Sequence, residues 1–134
     1  MLTLPKQLID DMIAHAREET PNECCGIIAG KDGLAVKLFR ARNADASPYH
    51  YNVDPQDLFR IFQECNEKGW EFLAIYHSHT ASEAYPSQTD VRLAFWPEAY
   101  YVVVSLQDPA NVMVRAFRII DGQITEEEIQ AGGT

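Results

Sequence analysis

His77-Ser78-His79, seven further residues, Ser87, two further residues and Asp90 form the strongest chemical grouping in this sequence. Side chains on a strand alternate between faces, so His77 and His79 would share one face and Ser78 would take the other. Two imidazoles at that spacing can share one ion. A loop followed by a helix start at Ser87 would return the Asp90 carboxylate to the same point. Two histidines, one carboxylate and a water make a four-coordinate catalytic zinc site with an open position. Hydrolysis then needs a base beside that water. Zinc lowers the pKa of bound water to about 7, and a carboxylate can take its proton and pass it to a leaving amine. Glu23, just before the apolar run that starts at Cys25, is the candidate. Ser87 can donate to the tetrahedral oxyanion, a contact worth about 2.7–4 kcal/mol in well-studied sites.

Each residue also has a plainer reading. A lone His-x-His on a strand is more often structural than metal-binding. Ser87-x-x-Asp90 resembles a helix capping box with a shorter acid at its third position. Glu23 alone could be an exposed acid at a strand start. Placement favours chemistry: the histidines end an apolar run, where α/β folds carry functional groups, and the cap lies one short loop away.

The elements that must position these groups are legible in outline. Leu8, Ile9, Met12, Ile13 and Ala16 follow a helical period within Leu4 to Glu19, with Pro5 in the first turn. Cys25 to Gly30 and Leu34 to Arg40 read as strands, joined by a hairpin at Asp32-Gly33. Asn43 to Asp54 has no period and reads as a binding loop. Asp54 caps a second helix that begins at Pro55, turns Leu58, Ile61, Phe62 and Cys65 inward, and ends at Lys68-Gly69. Phe72 to Tyr76 is a buried strand running into the histidines, and Thr80 to Pro86 is a loop. A short helix spans Ser87 to Phe95, and strands at Tyr100–Leu106, Val112–Ile120 and Gln123–Ile129 close the domain. The reading is a single α/β (α+β) domain over residues 1–134.

Composition narrows the class. The 134 residues carry 20 acids and 11 bases, a net charge of −9, which argues against nucleic acid as a partner. The first residues lack the pattern of a signal peptide, and no apolar stretch is long enough to span a membrane. Three cysteines, two of them adjacent, make no disulfide framework, so a cytoplasmic location is expected. Cys24 and Cys25 are soft metal ligands, but alternation sends them to opposite faces and at least one should be core. His15 reads as a surface residue, His50 as an ordinary loop histidine, and Trp70 and Trp96 as packing at helix ends.

Glu23, His77-Ser78-His79 and Ser87-Gln-Thr-Asp90 together resemble the complete motif of the JAMM (MPN+) metallopeptidases. The segments Pro21–Gly26, Tyr76–Thr80, Tyr85–Ser87 and Thr89–Val91 look like the small bacterial Mec-type members. Many relatives have Pro after the second histidine; here it is Thr80, which leaves the ligands intact. The resemblance implies a JAB1/MPN-like fold, a curved mixed sheet flanked by helices and distantly similar to the cytidine deaminase fold. It implies Zn2+ on His77, His79 and Asp90, Glu23 as acid/base, Ser87 at the oxyanion, and Ser78 in support. The implied activity is hydrolysis of the Gly-Cys bond at the C-terminus of a ubiquitin-like sulfur-carrier protein with a Gly-Gly tail, with the two loops clamping that tail. A homodimer is held open. The competing readings are the same chemistry on another ubiquitin-like or sulfur-carrier protein, and a non-catalytic MPN interaction module. A zinc deaminase is set aside because its His-x-Glu and Pro-Cys-x-x-Cys signature is absent.

Overall fold

The computed structural model describes residues 1–132. Six strands form one mixed sheet: β2 (Cys25–Lys31), β3 (Leu34–Ala41), β4 (Glu71–His79), β5 (Tyr100–Ser105), β6 (Met113–Ile120) and β7 (Gln123–Glu127). Their order is β3-β2-β4-β5-β6-β7, with β4 and β5 parallel and the other pairs antiparallel. A second sheet pairs β1 (Leu2–Leu4) in parallel with β8 (Ile129–Ala131). The helices are α1 (Lys6–Glu19), α2 (Pro55–Lys68) and α3 (Gln88–Arg92).

Local chemistry explains the turns and caps. Asp32-Gly33 and Asp121-Gly122 both take positive φ at both positions, the mirror-image turn that matches the twist of two antiparallel strands. The Asp54 carboxylate accepts the N–H groups of Gln56 and Asp57, and Gly69 closes α2 in the left-handed region at φ 69°. The first helix begins at Lys6 rather than Leu4, because Leu2 and Leu4 are drawn into β1 and buried under α1. The expected last strand divides into β7 and β8. Segments this short have too few residues to show a period, and pairing across the fold creates them.

The sheet is covered on both faces. Met12 and Ala16 of α1 pack with Cys24, Ile28, Ala74, Tyr76, Val102 and Val104 on one side. Ile61 and Cys65 of α2 pack with Cys25, Ile27, Ile75 and Tyr101 on the other. Cys24 and Cys25 therefore do point to opposite faces, and both are buried. Burial pushes the Cys24 thiol up to about 12 and raises Cys25 as well, so both are unreactive packing groups. Phe62, expected on the inner face of α2, is instead 44% exposed and meets Phe72 edge-on. Trp70 packs at the end of α2 against this second cluster.

His15 also departs from expectation. It is buried, and its Nδ1 lies 2.8 Å from the Tyr76 hydroxyl on the central strand. The apolar helical period conceals this, because a polar partner sixty-one positions away has no local signature. Tyr76 in turn lies over Gly26, where even a methyl group would collide with its ring. Burial, aided by Arg40 and opposed by Glu18, lowers the His15 pKa from 6.5 to about 4. The unfolded chain thus binds a proton between those values that the folded chain refuses. The stability His15 contributes is whole above about pH 6.5 and falls as pH drops toward 4. His15→Gln should therefore lose less Tm than the parent when pH is lowered from 7.5 to 5 in matched thermal melts. Parallel losses would remove His15 as a source of the acid sensitivity.

Candidate metal centre

The centre lies at the carboxyl ends of the parallel strands β4 and β5, where such sheets place ligands. His77 and His79 sit on the α2 side of β4, both buried. Register then places Glu23. Cys25 pairs with His77, and two residues further back an antiparallel neighbour comes opposite His79. Ser78, on the α1 side, secures this alignment: its Oγ accepts the Cys24 N–H at 2.8 Å, and its own N–H donates to the Cys24 carbonyl at 3.2 Å.

Asp90 arrives from α3, which runs only from Gln88 to Arg92 instead of reaching Phe95. The capping-box reading and the metal reading are both realised. Ser87 Oγ accepts the Asp90 N–H at 3.0 Å, and Asp90 Oδ2 accepts the Ser87 N–H at 2.9 Å. The same Oδ2 lies 3.0 Å from the Nε2 atoms of both His77 and His79, which are 3.1 Å apart. Ser87 is exposed, and its Oγ, used as an acceptor by the cap, keeps a proton to donate.

These donors fit a tetrahedral cation. Ligands about 2.0–2.1 Å from a centre stand about 3.3 Å from one another, close to the observed separations. His79 presents the right atom, because its Nδ1 donates to the Glu83 carbonyl at 2.8 Å and leaves the Nε2 lone pair free. Burial would lower the His79 pKa, but the Asp90 carboxylate and the Glu83 carbonyl outweigh this and raise it. Burial lowers the His77 pKa. Burial would raise the Asp90 carboxyl, but its bonds to His77 and His79 outweigh this and hold it far below the usual range. Glu23 Oε1 is buried without a partner among the described residues. Burial drives the Glu23 carboxyl up to about 8, against the pull of His79 and with the push of Asp90. The structure brings His77, His79 and Asp90 together and sets Glu23 beside them, just before β2 and opposite His79, and Ser87 stands one helical turn from the acid it caps. No cysteine joins the group, which among the described residues consists of His77, His79 and Asp90.

Two contributors carried no sequence signal of their own. The Glu83 carbonyl is backbone and invisible in residue types. Tyr51 stacks on the His77 ring with centroids 4.3 Å apart and planes 20° apart; only its place in a long, unpatterned loop pointed to it. His50 pairs with Asp45 at the surface, as a loop histidine would.

A family model described as prokaryotic homologues of the JAB domain matches residues 5–120. The chain belongs to this family. It is a metallopeptidase, a hydrolase of peptide or isopeptide bonds. It is 40% identical over 131 residues to the CysO-cysteine peptidase of Mycobacterium tuberculosis, covering 96% of this chain and 90% of that one. It is 33% identical to a desampylase of Haloferax volcanii, covering 78% and 80%. A solution structure of a protein from Desulfitobacterium hafniense superposes with a TM-score of 0.90 at 36% identity, covering 100% of this chain and 94% of the other. The mixed sheet flanked by helices is the fold expected from the motif. No helix among the described residues is long and apolar enough to cross a membrane.

Removing Asp90 leaves two imidazoles without the oxygen that joins them. Asp90→Ala should lower bound zinc, measured by elemental analysis after dialysis, to well below one ion per chain. Ser87→Ala should keep its zinc and lose about 0.5–2 kcal/mol of stability as the cap goes. Full zinc retention by Asp90→Ala would exclude that residue from the ligand set.

Proposed function

We propose that this chain is a zinc-dependent peptidase that hydrolyses the C-terminal Gly-Cys amide bond of a ubiquitin-like sulfur-carrier protein, releasing cysteine for biosynthesis. In this reading residues 1–134 form one catalytic domain. The observation that carries the chemistry is the convergence of two buried imidazoles on one carboxylate oxygen, with the buried carboxyl of Glu23 opposite His79. The substrate class is drawn from the 40% identical relative whose name specifies CysO-cysteine.

In this reading Zn2+, held by His77, His79 and Asp90, supplies Lewis acidity toward the scissile carbonyl and the attacking water. Glu23 takes the proton of that water and delivers it to the departing amine of cysteine. Its burial suits the transfer, since a carboxyl raised toward neutral pH both accepts and returns a proton readily. Ser87 directs its hydroxyl proton at the oxyanion as the carbonyl becomes tetrahedral. The bond between carbonyl carbon and nitrogen breaks, leaving a glycine carboxylate on the carrier and free cysteine.

In this reading the Asn43–Asp54 and Thr80–Pro86 loops hold the carrier tail. Glu23 N–H donates to the Ser47 carbonyl at 2.8 Å, and the Thr80 hydroxyl reaches the Pro48 carbonyl at 3.4 Å, so both loops meet beside the centre. Thr80 thus makes a contact that proline could not. A groove of about 130 Å³ is lined by Tyr51 and Val53 of the Asn43–Asp54 loop together with Leu58, Leu93, Phe95 and Trp96. Such an apolar face suits the body of a small folded carrier. A second reading, cleavage of another ubiquitin-like conjugate, is favoured by the desampylase relative. A non-catalytic module would have no need of the intact Glu23, His77, His79, Ser87 and Asp90.

The decisive experiment incubates a sulfur-carrier protein ending in Gly-Gly-Cys with the zinc-loaded enzyme and follows its mass. Loss of one terminal cysteine is expected, slowed about 10²–10⁴-fold by Glu23→Gln. An unchanged carrier mass, with zinc still bound at one equivalent, would remove the cysteine-releasing role and leave the conjugate-cleaving one.

A further inference from the structure

His77 and His79 leave the same strand on the same face and reach the same carboxylate oxygen, yet they are held by different means. His79 is fixed by the bond from its Nδ1 to the Glu83 carbonyl. His77 Nδ1 is buried and has no partner among the described residues. What it has instead is Tyr51, face to face with its ring at 4.3 Å. We propose that Tyr51 is a positioning residue for the metal centre, and that its ring face sets the plane of the His77 imidazole in place of the missing hydrogen bond. The inference rests on His77 being a metal ligand.

The torsion that turns an imidazole about its Cβ–Cγ bond is broad, with no staggered well to hold it. A histidine ligand ordinarily gains that restraint from an outer hydrogen bond. With none at Nδ1, His77 could rotate and carry Nε2 away from the point it shares with His79. A parallel ring 4.3 Å away opposes this, because rotation would drive the imidazole edge into the aromatic face.

The stack restrains His77 only if Tyr51 is itself held, and the loop provides for that. The Asn43 side chain is its hub. Asn43 Oδ1 accepts the N–H groups of Asp45 and Asn52, and Nδ2 donates to the carbonyls of His50 and Glu23. The peptide groups on both sides of Tyr51 are therefore pinned. Its ring also packs into the apolar cluster of Ile27, Ile75 and Tyr101. The same hub grips the Glu23 carbonyl, while Ser47 grips the Glu23 N–H. One loop thus aligns the proposed base through its backbone and the proposed ligand through a ring.

The test compares the full chain with Tyr51→Phe, Tyr51→Leu and His77→Ala. Zinc affinity is read by competition with a chromophoric chelator, geometry by the visible spectrum of bound cobalt(II), and folding by circular dichroism. Because the stack uses the ring face, Tyr51→Phe should bind zinc within about twofold of the parent with the same cobalt bands. Tyr51→Leu should bind about tenfold more weakly, with shifted bands. A folded Tyr51→Leu with parental affinity and spectrum overturns the proposal, as does a Tyr51→Phe as weak as Tyr51→Leu. Nitrogen-15 NMR of the metal-free parent gives a reading that needs no variant. His77 should show one tautomer and ring protons shifted upfield by the aromatic face; exchange between ring orientations would equally overturn the proposal. Parental binding by His77→Ala would refute the metal-centre reading itself.

Discussion

Asp90 Oδ2 is the atom on which the metal centre converges. It is buried, 3.0 Å from two imidazole nitrogens, and it accepts the N–H of the residue that caps its helix. A carboxylate removed from water is costly unless the charge is met from several sides. That requirement explains the shape of the connection between β4 and β5. The chain leaves His79, forms a loop that returns the Glu83 carbonyl to His79, and starts α3 where its first-turn acid reaches back to the strand it came from. The helix needs only five residues, since its work is done in its first turn.

The central strand divides its labour by face. Toward α1 it carries Tyr76, bonded to His15, and Ser78, which accepts from the backbone of Cys24. Toward α2 it carries His77 and His79. The first set fixes the strand against α1 and β2; the second projects into the centre. Such a division follows from the two-residue repeat of a strand, and it makes the α1 face a support for chemistry performed on the other side. Ser78 links the faces most directly. The bond it makes to Cys24 lies one residue from Glu23, so the proposed base and the proposed ligands share a single alignment of β2 with β4.

Much of the centre was legible in the chain itself. The spacing of His77, His79, Ser87 and Asp90 encodes strand alternation and a capping turn, both of which are local geometry, and the type I′ hairpins, the Asp54 cap and the Gly69 stop follow from backbone preferences of single residues. Glu23 was marked by its place just before the first buried strand, although its partner on β4 lies far along the chain. By contrast, β1 and β8 form only because they find each other, the burial of His15 depends on Tyr76, and the stacking of Tyr51 on His77 depends on how the Asn43 hub folds its loop. Residue types and periods report what a segment does within a few positions of itself. Partners joined across dozens of positions, and backbone carbonyls such as that of Glu83, leave no such trace, because it is the packing of the whole sheet and its helices that brings them within hydrogen-bonding or stacking range.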